Sequence, residues 1–288
     1  MSDSNIKTNC QKVKDFNKCF NHFISYSPYT NIFDKEPKLV KLKYNLINEE
    51  IFELKDAFEA HDIIEIIDAL ADILYVVYGF CITFGINIDM SFKEYMCNKL
   101  SDLKHYTYYN TYKEFTIENN NYEIVKDFFL IKSLINNNNY NSHENYKNYI
   151  TSIKSVDFYN NLKYNIEYLL SFNTSLNTHI LLKNYDKCID IIHDILYHTY
   201  NISILLKLNI DDAFNIVHNS NMSKICISEG EAIETVEFYK STDNRYENPA
   251  YAKNDFGYII YNNISDDIKN CKTLKNKNYI KTDFTSLF

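Results

Sequence analysis

Tryptophan is absent from this 288-residue chain, and glycine (4) and proline (3) are scarce. So few backbone breakers suit long helices, arranged as one large helical domain or two small ones, and the length is ample for a real core. Without Trp, that core is built from single-ring aromatics, of which there are 26 Tyr and 19 Phe. A basic excess is also missing: the net charge is −8 and no basic stripe is present. Nucleic acid as a bulk partner therefore lacks its phosphate-neutralising counterpart, whereas a small phosphorylated substrate balanced by a metal is not excluded. The cysteines, at positions 10, 19, 81, 97, 188, 226 and 271, never form a CxxC pair. That pattern fits reduced thiols in a cytoplasmic protein rather than a disulfide framework or a zinc site. The N-terminus is polar and has no apolar signal core. The longest uncharged apolar run, Ile73 to Ile86, is too short to span a bilayer, so a soluble protein with no membrane partner is expected.

What is present is a concentration of acids between Asn45 and Asp89. Glu49, Glu50 and Glu53 form an EExxE pattern, and after a break near Ala60-His61-Asp62 come Glu65, Asp68 and Asp72. The last three fall at i, i+3 and i+7, on one face of a helix otherwise filled by Ile63, Ile66, Ile67, Leu70, Ile73 and Leu74. Acids in an apolar stripe are costly unless compensated. If the chain reverses near residue 60, a rise of about 1.5 Å per residue brings the two acidic patches side by side on antiparallel helices. Clustered carboxylates then need a cation. Oxygen-only ligands point to Mg²⁺, with Mn²⁺ as the alternative, and such ions commonly also hold substrate phosphates.

EExxEL followed by Glu65-x-x-Asp68-Ala-Leu-Ala-Asp72-Ile-Leu-Tyr-Val-Val-Tyr78-Gly resembles the all-α nucleoside triphosphate pyrophosphohydrolase superfamily, which includes phosphoribosyl-ATP pyrophosphohydrolase-like, MazG-like and dimeric dUTPase enzymes. The resemblance covers residues 15–95 and returns at 209–283. It implies a helical bundle with an ExxE…ExxD magnesium site and cleavage between the α and β phosphates, releasing pyrophosphate. Whether Glu65/Asp68 or Asp68/Asp72 supplies the second pair stays open, because members differ in helix register.

From the start of the chain, residues 9–26 read as a first helix, with Val13, Phe16, Phe20 and Phe23 at helical spacing, broken by Ser27-Pro28-Tyr29-Thr30-Asn31. Pro37 suits the first turn of the helix carrying Leu39, Leu42, Leu46 and the EExxE group. Gly85 closes the second acidic helix, and Asp89 is expected as the N-cap of the next. Residues 106–160 read as an Asn/Tyr-rich insertion with a short apolar helix around Ile124–Ile135. The pattern then repeats: Asp194-Ile-Leu-Tyr-His-Thr-Tyr200 matches Asp72-Ile-Leu-Tyr-Val-Val-Tyr78, and Asn209-Ile-Asp211 matches Asn87-Ile-Asp89, each 122 positions on (72 to 194, 87 to 209). Asp190 falls opposite Asp68, but Lys187 replaces Glu65 and no EExxE precedes it. This reads as an internal duplication whose second copy has lost the metal acids.

The second copy holds Phe214-x-x-Val217-His-Asn-Ser-Asn221-Met-Ser223-Lys224, which resembles the family's FxxVHxSNMSK segment. Asn221, Ser223 and Lys224 offer amide, hydroxyl and ammonium donors suited to phosphate oxygens. Phe256-Gly-Tyr-Ile-Ile-Tyr261 has strand composition and suits a small hairpin. The tail from Lys272 to Asp283 resembles the family's GKxLKxxxYxxPD, with Cys271 for the glycine and Thr282 for the proline, and brings Lys275 in as a further phosphate contact.

The expectation is an all-α, MazG-like bundle in four stretches. These are 1–105 with the acidic site, the insertion 106–160, a degenerate second copy 161–225, and a C-terminal segment 226–288. Glu50, Glu53, Glu65, Asp68 and Asp72 would hold one or two ions, and Glu49 would orient or deprotonate the water. A nucleoside triphosphate is the expected substrate, in a monomeric pseudo-dimer or a homodimer. The alternative is an inactive helical scaffold or a nucleotide-sensing module that has kept the fold.

Overall fold

The computed structural model describes residues 7–101, 121–136, 155–242, 246–264, 268 and 271–288. The helices in order are α1 (Asn9–Cys19), α2 (Ile32–Lys35), α3 (Pro37–Ala60), α4 (Ile63–Phe84), α5 (Ile88–Ser101), α6 (Asn121–Asn136), α7 (Ser155–Leu181), α8 (Tyr185–Leu205), α9 (Ile210–Met222) and α10 (Glu229–Thr242). They are followed by strands β1 (Pro249–Asn254) and β2 (Gly257–Asn262). The fold is all-α with one small hairpin, as the composition predicts. The chain divides into two compact units: Met1–Glu49 with Leu74–Ile86 and Asp212–Phe288, and Glu50–Ile73 with Asn87–Asp211.

In the first unit, α1 opens on a capping box. The Thr8 hydroxyl accepts from the Gln11 amide at 3.2 Å, and the Gln11 side chain accepts from the Thr8 amide at 2.9 Å. The helix stops at Cys19 rather than running to residue 26, because Asn21 takes a left-handed conformation (φ 55°). The chain after it serves α4 instead: the Ser25 amide donates to the Ile82 carbonyl at 3.1 Å and the Tyr29 amide to that of Phe84 at 3.0 Å. Those carbonyls lie in the last turn of α4, where no intrahelical donor remains. Gly85 turns the chain there with φ 71°, and a Cβ at that position would stand 1.8 Å from the Ser27 carbonyl oxygen. Tyr75 stacks on Phe214 at 5.3 Å and meets Phe16 edge-on at 5.4 Å, which fills the interior with the expected single rings. Pro37 does begin α3. The buried side of that helix is Leu39, Val40, Lys43 and Ile47, with Leu42 and Leu46 only half-buried.

The hairpin pairs Asn254 with Gly257, and the Asn254 side chain accepts from the amides of Phe256 and Gly257. It packs with α10 around Cys226, Val236, Tyr239, Ile260 and Leu274.

In the second unit, α7 and α8 pack along each other, and α6 lies on both α5 and α8. Leu162, Ile166, Leu169 and Leu176 form the buried stripe of α7, facing a core that includes Ile192, Ile195, Leu196 and Tyr200 of α8. Helix α6 matches the apolar segment expected inside the insertion, while residues 106–120 and 137–154 of that insertion lie outside the described residues. Asp89 is not the cap of α5. The helix begins at Ile88, so Asp89 sits in its first turn, and the amides of Met90 and Ser91 bond the Asn87 carbonyl.

Local backbone geometry recurs at the 122-residue spacing. His61 and Lys183 are both left-handed (φ 56° and 54°), as are Gly85 and Lys207 (71° and 58°). The Asp62 amide bonds the Ala57 carbonyl as that of Asn184 bonds His179, and Ile86 to Cys81 is matched by Leu208 to Ser203. Asp62 Oδ1 accepts from the Glu65 amide (3.2 Å) just as Asn184 Oδ1 accepts from that of Lys187 (3.1 Å). Among the described residues one helix, α4, is long and apolar enough to cross a membrane by composition, but 83% of its most apolar window is buried inside the protein.

Candidate active site

The acidic residues lie on a tight αα-hairpin. Only His61 and Asp62 join α3 to α4, and a connection that short makes the helices antiparallel neighbours. Asp62 caps α4, accepting from the amides of Ile64 at 3.0 Å and Glu65 at 3.2 Å, which fixes where that helix starts and hence which acids face α3. Counted from the turn, Glu53 lies between the levels of Asp68 and Asp72, and Glu50 is level with Asp72 to within about 1.5 Å of rise. Glu65 is nearer the turn and exposed, as is Glu53, whereas Glu50, Asp68 and Asp72 are half-buried. Apolar neighbours cause that gradient: Ile47, Ile51 and Leu54 on α3, and Ile67, Ala71 and Ile73 on α4, are all buried.

Two carboxylate oxygens, Glu50 Oε2 and Asp68 Oδ1, are shut off from solvent. An all-oxygen donor set with buried members fits a hard divalent ion. Among the described residues no three His, Cys, Asp or Glu side chains are gathered as a metal cage. Mg²⁺ rarely takes a closed protein cage, being held commonly by one or two carboxylates with waters and substrate phosphates. Glu49 points to the Lys272 ammonium, at 3.2 and 3.3 Å from its two oxygens, in a half-exposed pair. Surface pairs of this kind are worth about 0–1 kcal/mol, so Glu49 exchanges partners readily.

The predicted phosphate contacts belong to the first unit, at the end of α9. Asn221 is buried and accepts from the Lys224 ammonium. The Ser223 hydroxyl is engaged on both sides, donating to the Ser220 carbonyl (2.7 Å) and accepting from the Ile280 amide (2.8 Å), so it ties the C-terminal tail to α9. Lys275 lies over the Tyr279 ring at 4.7 Å. Sequence reasoning passed over Asn276, which organises this tail: it is buried and donates to the Ile225 carbonyl and to Glu231. It also missed Lys43, which stands in the buried register 40, 43, 47 of α3.

In the second unit, the residues 122 positions after Asp68 and Asp72 are paired internally. Lys187 holds Asp190 at 2.9 Å, and Asp194 accepts from the Tyr95 hydroxyl at 2.5 Å with Lys99 at 3.9 Å. Burial and then the Asp194 contact hold the Tyr95 phenol well above its ordinary range. Burial likewise holds His193 down to about 4, where its Nε2 meets the Ser91 hydroxyl at 2.9 Å.

Residues 13–96, which include both acidic helices, match the family model described as phosphoribosyl-ATP pyrophosphohydrolase. Over 281 residues the chain is 32% identical to a protein described as "Uncharacterized protein L479" from Acanthamoeba polyphaga mimivirus, covering 96% of each. No solved structure matches.

Proposed function

This chain belongs to the all-α pyrophosphohydrolase superfamily of the phosphoribosyl-ATP pyrophosphohydrolase and MazG-like enzymes, and from that membership we propose that it hydrolyses a nucleoside triphosphate to the monophosphate and pyrophosphate with Mg²⁺. The observation that carries the reading is the pair of buried carboxylate oxygens, Glu50 Oε2 and Asp68 Oδ1, on the matched hairpin. Glu50, Glu53, Asp68 and Asp72 are the residues that would hold the ion, with Glu65 at the exposed end of the same face. When bound, the ion would polarise phosphoryl oxygens and offset the charge of the pyrophosphate leaving group. Glu49 gives up Lys272 and takes the proton of the attacking water on a carboxylate oxygen. Asn221, Lys224 and Lys275 donate to phosphate oxygens, while Ser223 keeps the tail in place.

We read the second copy as the partner half of a single-chain pseudo-dimer, its acids neutralised by Lys187, Lys99 and Tyr95. Its natural setting on this reading is the cytoplasm, where seven free thiols stay reduced and nucleotides are cleared from the pool. The experiment is a panel of ribo- and deoxynucleoside triphosphates with Mg²⁺, scored for pyrophosphate beside a Glu53→Ala variant. Monophosphate plus pyrophosphate, lost in the variant, supports the reading. Release of orthophosphate alone overturns α–β cleavage, and tight nucleotide binding without product would turn the reading to a sensor.

A further inference from the structure

Lys43 is out of place for a helix core. It occupies the apolar register between Val40 and Ile47 and is only 6% exposed. Its ammonium makes no hydrogen bond or ion pair among the described residues. Burial alone shifts it, down to about 8, with no carboxylate acting to raise it. Gly79 of α4 leaves the room: a Cβ there would lie 3.8 Å from Lys43 Nζ and 3.9 Å from Val13 Cγ1. One turn beyond Val13 on the same face of α1 is Asn17, 1% exposed, whose Nδ2 is buried with no hydrogen-bond partner. The chain leaving α1 brings His22, whose amide bonds the Asn17 carbonyl at 2.8 Å. Its Nε2 meets the Thr273 hydroxyl at 2.8 Å, and its Nδ1 is buried without a partner. Burial first, then Lys43 and Lys224, hold this imidazole neutral down to about 3, so both ammonium groups stand within electrostatic reach of the ring. In the tautomer in which Thr273 donates to Nε2, Nδ1 carries the proton and is a donor.

All these groups belong to one unit. Asn17 Nδ2 and His22 Nδ1 are closed to solvent without a partner, and the Lys43 side chain stands in the same interior with no protein acceptor for its ammonium among the described residues, an arrangement that is costly as it stands. A tetrahedral oxyanion supplies what the three lack: formal charge and several acceptor atoms. Lys43 precedes Glu49 by six residues on α3, about 9 Å of rise, comparable with the reach of a polyphosphate.

We propose that Lys43, Asn17 and His22, with Lys224 beside them, form a buried subsite for phosphate oxygens, taking the pyrophosphate end of the nucleotide; the assignment to a nucleotide rests on the function proposed above. The probe is inorganic pyrophosphate in the presence of a chelator, so that the acidic hairpin takes no part, followed by calorimetry and thermal denaturation. Orthophosphate is run alongside to tell a single phosphate from a pyrophosphate. Lys43→Met keeps the stem and removes the charge. It is expected to raise the melting temperature of the ligand-free protein while weakening pyrophosphate binding by about ten- to a hundredfold. Asn17→Asp places an internal acid beside Lys43, and is expected to stabilise the free protein and abolish binding. Pyrophosphate affinity unchanged in Lys43→Met overturns the subsite, as does a Lys43→Met protein that hydrolyses nucleotides with unaltered KM, a result that leaves the enzymatic reading standing. A wild-type protein that binds pyrophosphate through Lys43 yet turns over no nucleotide supports the subsite and refutes the enzymatic reading.

Discussion

Replacing Asp68 with Asn changes one charge and almost no shape, at a position where the hairpin makes charge matter. Asp68 is half-buried with Oδ1 closed to solvent, and Glu50 across the hairpin has Oε2 closed as well. Packed helices lie about 8–10 Å apart. Adding the offset of about 7.5 Å in rise between Glu50 and Asp68, two like charges about 11 Å apart repel by roughly 1.5 kcal/mol at an effective dielectric near 20. Without metal, Asp68→Asn should therefore raise the melting temperature by about 3–6 °C, at roughly 2–4 °C per kcal/mol for a chain of this size. With Mg²⁺ the order should reverse: the wild type gains stability by mass action and the variant gains less. Removing even an outer partner of a metal ligand commonly costs tenfold to a hundredfold. Loss of a ligand itself should lower kcat/KM by at least about 100-fold, near 2.7 kcal/mol. Differential scanning calorimetry with chelator and then with Mg²⁺, beside a pyrophosphate-release assay, reads both effects. A variant that melts lower than the wild type in chelator and keeps its full response to Mg²⁺ would refute the reasoning.

Four further outcomes follow from the same geometry. Lys43 has its pKa lowered to about 8 in the fold, so between pH 8 and 10.5 the unfolded chain binds the extra proton; this group's contribution to stability rises with pH across that window, by about 3 kcal/mol. Comparing denaturant midpoints of wild type and Lys43→Met at pH 7.5 and 10 isolates it, since both share every other titration. His22, His193 and His198 are held down to about 3, 4 and 4 by burial, so stability should fall as pH drops from 6.5 toward 4, which urea melts across that range will show. Tyr95→Phe removes a 2.5 Å bond to a carboxylate and should cost about 1.5–3 kcal/mol in chemical denaturation while leaving the Mg²⁺ response intact. Gly85→Ala drives a Cβ into the Ser27 carbonyl at positive φ and should destabilise by about 1–3 kcal/mol or more, read as a fall in melting temperature.

Much of the acidic hairpin was legible because its signals are local. The acids, the break at His61-Asp62, the proline at the start of α3 and the glycine after α4 each act within a turn or two of the chain. The small hairpin was legible for the same reason, from the strand composition of Phe256 to Tyr261. The end of α1 was not, since its apolar spacing runs past Cys19; what stops the helix is competition from the carbonyls of Ile82 and Phe84, more than fifty residues away. The start of α7 was hidden by Asn- and Tyr-rich composition, its residues before 161 falling in the stretch read as an insertion, while Leu162, Ile166, Leu169 and Leu176 keep helical spacing. On α3, the leucines at 42 and 46 drew the core face one position away from its true line, and with it went the significance of Lys43. Its burial depends on Val13 and Gly79, which only the fold brings beside it.

The acids at positions 190 and 194 show how far a local motif reaches. Asp190 and Asp194 repeat the spacing of Asp68 and Asp72, yet Lys187 and the Tyr95–Lys99 pair neutralise them. Lys187 could be read from sequence as a lost ligand. The Tyr95 contact could not, because it comes from α5, about a hundred residues earlier.

The most direct measurement is the product of nucleoside triphosphate hydrolysis by the wild-type chain with Mg²⁺, resolved by ³¹P NMR. Nucleoside monophosphate and pyrophosphate in equal amounts are expected, and neither product with Glu53→Ala. Nucleoside diphosphate with orthophosphate, or full turnover by Glu53→Ala, would contradict it.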